Sequence, residues 1–294
     1  MKKLYILKSF YNLHKRLIIN ILNFGLLILL LNANCNKDDV LSPEDTDITN
    51  EAAFMKSTVE IQKICSNANS YLILVANNIT TISGSCPAVT VSTPTNTITV
   101  DYGTTPCNNA LDQVKRSGSY TISYFINSGK DSMSAVISFN NYRVYKGDTS
   151  YITITGNDAI SSKKILVSVY QSTFNSNNTF TINTGKVKTA AVNMTVTSNI
   201  GDPYNYSDDI YYIKGSGTVT NQTLNLSYGY SIDPGFAVTY QTNCKYPYSG
   251  IVNLDIGGNR VTVDFSPNNS SCDAIISITK FGTPKTIDLS DADF

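Results

Sequence analysis

From Cys86 onward the apolar residues fall on every second position, and this period of two is the strongest constraint on what the chain folds into. Ile98, Val100 and Tyr102 alternate with Thr97, Thr99 and Asp101, and Tyr120, Ile122, Tyr124 and Ile126 alternate with Ser119, Thr121 and Ser123. The pattern recurs at Ile152/Ile154, Phe180/Ile182, Val192/Met194/Val196, Leu224/Leu226/Tyr228/Tyr230, Val252/Leu254/Ile256 and Val261/Val263/Phe265. Turn formers separate the runs: Asn127-Ser128-Gly129, Gly147-Asp148, Gly156-Asn157, Asp233-Pro234-Gly235 and Gly257-Gly258-Asn259. Successive side chains of a strand point to opposite faces, so each run buries one face and wets the other. No amphipathic run long enough for a crossover helix intervenes, which argues against a parallel α/β sheet. The expectation is a mainly β chain of about a dozen strands, either an antiparallel β-sandwich or a large curved antiparallel sheet.

One segment ahead of the strands has the other period. Phe54, Ile61, Ile64, Cys65, Ala68, Leu72 and Val75 recur at helical spacing. Thr49 or Asn50 is a suitable cap, and Glu51 complements the helix dipole. This predicts a single N-terminal helix over 51–76, interrupted near Ser66–Ser70. All three glutamates (Glu44, Glu51, Glu60) lie in or just before it, and none lies in the strand region.

The first 34 residues read as an address. Lys2, Lys3, Lys8, Lys15 and Arg16 precede the apolar stretch Leu17–Leu31, which falls short of the ~20 residues that span a bilayer and suits a signal peptide. Cys35 follows at once, in the place of the lipidated cysteine of a bacterial lipoprotein. The domain reading is therefore 1–34 lipoprotein signal peptide, 35–50 acidic tether, and 51–294 a single all-β domain. Cys35-Asn36-Lys37-Asp38-Asp39 resembles the start of Bacteroidetes outer-membrane lipoproteins. In that family a lysine and two acids behind the lipidated cysteine resemble a signal for export to the cell surface, the role the resemblance gives to Lys37, Asp38 and Asp39.

Two strand segments echo each other. Cys86-Pro87, then Thr97-Ile98-Thr99-Val100-Asp101-Tyr102-Gly103, then Cys107 parallels Cys244-Lys245-Tyr246-Pro247, then Arg260-Val261-Thr262-Val263-Asp264-Phe265-Ser266, then Cys272. A weaker echo links Tyr151–Gly156 with Ile210–Gly215, suggesting two related β halves over 86–198 and 205–290. Exported proteins meet oxidising conditions, so the expected disulfides are Cys86–Cys107 and Cys244–Cys272, with Cys65 left as a buried thiol. The whole layout of lipidated cysteine, tether, helix and paired cysteine–strand units resembles an uncharacterised family of Bacteroidetes surface-exported lipoproteins. That resemblance implies outer-membrane, exterior-facing anchoring and supplies no functional residues.

Composition narrows the chemistry. Five of the 22 Lys and Arg residues precede Asn34, so the mature chain sets 17 basic residues against 22 acidic ones, and no nucleic-acid footprint is expected. The single histidine, His14, lies in the signal segment and tryptophan is absent, which excludes a Ser-His-Asp triad or a Cys-His pair from the mature chain. No catalytic residue, cofactor or metal is expected. Asp101 and Asp264 are a carboxylate pair for glycoside hydrolysis or, more simply, solvated strand acids. The loop Asp202–Asp209 is rich in oxygen donors but lacks the spacing of an EF-hand. Tyr204, Tyr206, Tyr211 and Tyr212 are the candidate ligand-binding residues, because exposed tyrosines stack on sugar rings. The expected function is a non-enzymatic, lipid-anchored cell-surface lipoprotein that binds a glycan or protein or joins an envelope complex. The alternatives are a periplasm-facing lipoprotein for a lipid or apolar ligand, and an Asp-based polysaccharide hydrolase.

Overall fold

The computed structural model describes residues 43–82, 84–202, 205–267 and 272–290, and the account below concerns the compact unit Asp47–Phe294. Helix α1 spans Pro43–Ala76 and so begins at Pro43, inside the stretch expected as tether, rather than at Glu51. Proline suits a first turn, whose N–H groups have no intrahelical partner. The expected interruption at Ser66–Ser70 does not occur. Ser66, Asn69 and Ser70 are buried. Asn69 Nδ2 donates to Ser198 Oγ at 3.3 Å and Ser70 Oγ donates to Asp209, so two of these side chains bond outward to the sheet.

Sixteen strands follow: β1 (Thr81–Ile82), β2 (Ala88–Ser92), β3 (Thr97–Asp101), β4 (Cys107–Asn108), β5 (Lys115–Ile126), β6 (Ser132–Lys146), β7 (Ser150–Leu166), β8 (Val169–Ile182), β9 (Val187–Asn199), β10 (Ile210–Asn221), β11 (Leu226–Ile232), β12 (Val238–Gln241), β13 (Ile251–Ile256), β14 (Asn259–Asp264), β15 (Ile275–Lys280) and β16 (Thr283–Asp288). They form one antiparallel meander from β1 to β16, with β4 added beside β5 and β12 beside β10. The sheet is single and its ends do not join, which decides between the two expected architectures in favour of the curved sheet. The alternating residues named above fill its inner face, including Ile98, Ile122, Ile154, Phe180, Val196, Leu254 and Val263. Leu224 is the exception, lying in the β10–β11 turn and half exposed.

The helix precedes the strands in the chain, as expected, and its buried side chains pack on the inner face of the sheet. From Phe54 to Leu74 every described side chain is buried except half-buried Asn67. A helix buried on all sides is ordinarily apolar all round. This one is not, and its charges are matched from the sheet. Glu51 Oε1 accepts from Lys188 Nζ at 2.9 Å and Asn221 Nδ2 at 2.7 Å, and Oε2 accepts from Tyr228 Oη at 2.7 Å. About two and a half turns further, Arg116 Nε and Nη2 grip the two oxygens of Glu60 at 2.7 and 2.9 Å, and Tyr142 Oη donates to Oε1 at 2.7 Å. The same guanidinium grips Asp112 at 2.8 and 2.7 Å, and Lys63 Nζ reaches Asp112 at 3.2 Å and the carbonyl of Lys245. Burial alone pushes the Asp112 carboxyl up, but the Arg116 and Lys63 charges outweigh it and hold it well below the usual range.

The expected turn at Gly156-Asn157 lies instead in the middle of β7. Gly156 has φ +128° and Gly215, its counterpart in the weaker echo, has φ +143° in β10. A Cβ at Gly156 would meet the Asn177 carbonyl oxygen at 2.3 Å, and one at Gly215 the Asn193 carbonyl oxygen at 2.3 Å. These glycines therefore let long strands kink without breaking, as a sheet that wraps a helix requires.

Two further carboxyls give the interior a pH dependence. Burial pushes Asp158 up to about 6, against the hydrogen bond from Asn178 Nδ2 at 2.7 Å, and pushes Asp209 up to about 6, against its bonds with Ser70 and Tyr211. Both bind protons more tightly folded than unfolded, where an aspartate titrates near ~3.9. Their contribution is present below that value and is lost as the pH rises through 6. Asp158→Asn, which copies the protonated acid, is therefore expected to match wild type at pH 4 and to exceed it by about 2–3 kcal/mol at pH 7.5 in urea unfolding. An equal gap at both pH values would contradict this account of Asp158.

Candidate functional site

The sequence-predicted residues fall into three places. Cys35, Lys37, Asp38, Asp39 and Tyr204 lie outside the described residues. Cys86–Cys107 and Cys244–Cys272 are disulfide-bonded and Cys65 is a buried thiol. The two bridges close segments of 21 and 28 residues, each stabilising the fold by about 3 kcal/mol in the chain-entropy model. Tyr211 is a core residue, not a ligand platform: its hydroxyl is 2.6 Å from Ser70 Oγ and its ring stacks on Tyr240 at 5.9 Å. Tyr206 is half-buried with its ring against Tyr71 at 5.2 Å. Tyr212 faces outward, 37% exposed, on β10.

The carboxylate candidates serve their own loops. Asp101 Oδ1 accepts from Gly103 N and Asp264 Oδ1 from Ser266 N, both at 2.8 Å, so each closes a turn just past its strand. The shallow depression beside Asp101 is lined by Gly103, Ser119, Asn140 and Arg143 and does not include Asp264. In the 202–209 loop, Asp208 accepts from Asp202 N at 3.2 Å, Asn205 accepts from Ser207 N at 3.1 Å, and Asp209 points inward to Ser70 and Tyr211. Among the described residues no group of three His, Cys, Asp or Glu is placed to hold a metal. No helix among them is long and apolar enough to cross a membrane.

The concave side offers little room. A cavity of about 140 Å³ remains between α1 and the sheet, bordered by Ser57, Val59, Lys63, Ile152 and Leu289. That is below the ~300–1,000 Å³ of an ordinary ligand pocket.

The outer face offers more. A groove of about 560 Å³ crosses β6 to β10. Pairing register aligns its lining into rows. Val136, Ala159, Asn175, Asn193 and Ser216 stand side by side across the five strands. The neighbouring row is Ser138, Asn157, Asn177, Ala191 and Thr218, with Ser138 Oγ donating to Asn157 Oδ1 at 3.1 Å. Beyond it run Thr155, Thr179, Thr189, Thr220 and Ser227. No side chain in these three rows is charged. Asp158 borders the groove only through its backbone side, since its carboxylate is buried on Asn178. The kinks at Gly156 and Gly215 immediately precede Asn157 and Ser216 at the groove. Adjacent strands lie about 4.8 Å apart, so the amides and hydroxyls, interrupted by Val136, Ala159 and Ala191, form a grid of donors and acceptors. Such a grid can hydrogen-bond polyhydroxylated ligands. Tyr212 lies on the same face, four residues or about 13 Å along β10 from Ser216.

Comparison of the chain with protein-family models, with curated proteins and with solved structures finds no match.

Proposed function

We propose that the chain is a non-enzymatic lipoprotein, anchored through Cys35 in the outer membrane and facing the cell exterior, that binds a neutral glycan on the outer groove of β6–β10. The observation that carries the binding part is the absence of charge from three consecutive rows made mostly of amide and hydroxyl side chains, with Val136, Ala159 and Ala191 among them. A solvated sheet face usually mixes lysines and acids, which keep it soluble and discourage edge pairing. A face stripped of charge suits a ligand that is itself uncharged and rich in hydroxyls. The anchoring part rests on the signal-like segment, Cys35 and the Lys37-Asp38-Asp39 run.

Two measurements test the parts separately. Protease treatment of intact cells should remove the wild-type protein from the membrane fraction, and Cys35→Ser should release it in soluble form; an anchored but protected protein would refute surface exposure. In a neutral-glycan binding assay, Asn175→Asp with Asn193→Asp should weaken retention about tenfold or more, because each buried sugar hydroxyl then faces a charge with no donor to offer. Retention unchanged in that variant would remove the groove from the proposal.

A further inference from the structure

The β7–β8 hairpin ends in a turn unlike the others. Most connections here carry Gly, Asn, Asp or Thr, as in Asn127–Lys130, Gly147-Asp148, Asn183–Lys186 and Gly257-Gly258. The end of β7 and the two-residue turn into β8 read Lys163-Lys164-Ile165-Leu166-Val167-Ser168. Its three consecutive aliphatic side chains are 50%, 66% and 87% exposed. Burial of each would be favourable, and nothing among the described residues covers them.

The surroundings of this apex are basic. Lys163 lies on the outer face, opposite Ser132 and Gln171, and Lys164 follows on the other side of the strand, with its Nζ 5.9 Å from the Tyr170 ring. Both are exposed. Lys130 projects from the neighbouring β5–β6 turn and bonds Asn78 at 3.1 Å. The acid nearby is Asp131, whose backbone oxygen accepts from Lys164 N at 2.8 Å and whose carboxylate is held by Asn127 Nδ2 at 2.7 Å. A narrow aliphatic tip with lysines behind it has the two components of interfacial binding, apolar insertion and attraction to anionic headgroups.

We propose that the β7–β8 apex docks into an anionic phospholipid surface, with Ile165, Leu166 and Val167 entering the acyl boundary and Lys163 and Lys164 at the level of the phosphates. Polarity along α1 places this contact. Glu51, where the chain enters the sheet, bonds Lys188 and Asn221 at one end, whereas the apex lies at the other, beside Asn78 and Lys130. The docking tip is therefore at the end of the domain away from the chain's entry. This inference is independent of the glycan groove.

The chain has no tryptophan, so one introduced at the apex reports on that site alone, whatever the N-terminal segment does. Full-length Val167→Trp should show a blue-shifted emission, quenched by brominated acyl chains, on vesicles containing phosphatidylglycerol, and much less on phosphatidylcholine alone. Lys163→Glu with Lys164→Glu in the same background should weaken the response about tenfold or more. Thr184→Trp, in the β8–β9 turn at the opposite end, is the positional control and should remain unquenched. Emission of Val167→Trp that stays at its aqueous position on anionic vesicles overturns the proposal. So does an equal response to neutral vesicles, or a vesicle-independent shift that grows with protein concentration, which would mean that the tip meets a second copy of this chain.

Discussion

Arg116→Leu should lower the unfolding free energy by about 3–5 kcal/mol, the largest single-residue effect expected in this fold. The guanidinium serves two buried carboxylates at once, Glu60 on α1 and Asp112 just before β5. Removing it leaves two negative charges in the interior, with Lys63, Tyr142 and the Val114 N–H to answer them. Arg116→Lys should fall between the two, because an ammonium cannot grip both carboxylates as a planar fork does. In a double-mutant cycle Glu60→Gln with Arg116→Leu should cost clearly less than the sum of the single changes. A loss under about 1 kcal/mol for Arg116→Leu would place the pair in a solvent-like setting and contradict its burial.

Gly156→Val and Gly215→Val should each destabilise by about 2–4 kcal/mol, through a strained backbone and a Cβ driven against a neighbouring carbonyl. The effect arises from shape and not from lost contacts, so Gly156→Ala should already show most of it. Gly229, which sits in β11 with no neighbour closer than 4.0 Å to a built Cβ, is the control, and Gly229→Ala should stay within about 1 kcal/mol of wild type in chemical denaturation. Comparable losses at all three positions would mean that the kinks are not what Gly156 and Gly215 supply.

Much of this architecture is legible in the residues because a period of two leaves few alternatives. Ile152, Ile154, Val252 and Leu254 face inward as their alternation requires, and the cysteines pair as their two echoing segments suggest. The weaker echo carries real geometry as well: Gly156 and Gly215 end the matched segments and share the same unusual φ. Tyr211 was also readable, since it keeps parity with inward Ile213 while Tyr212 takes the opposite face. What could not be read depends on distant partners. Glu51 and Glu60 look like surface charges on a helix, as charged residues nearly always are. Only the sheet reveals that Lys188 and Arg116, 137 and 56 residues away, meet them inside. The uncharged rows have the same limitation. Each strand shows its own Thr and Asn, but the rows exist only once register fixes which residue stands beside which.

The enclosed helix also determines how the domain answers a pull. A load entering at the start of α1 runs along the helix axis and therefore parallel to the side chains' lines of grip on the sheet. A rigid helix cannot slide past Glu51 without also sliding past Glu60 and Lys63, so the contacts to β9, β10, β11, β5 and β6 resist together and not in sequence. Held at that end, the domain engages its buried ion pairs at both Glu51 and Glu60 at once.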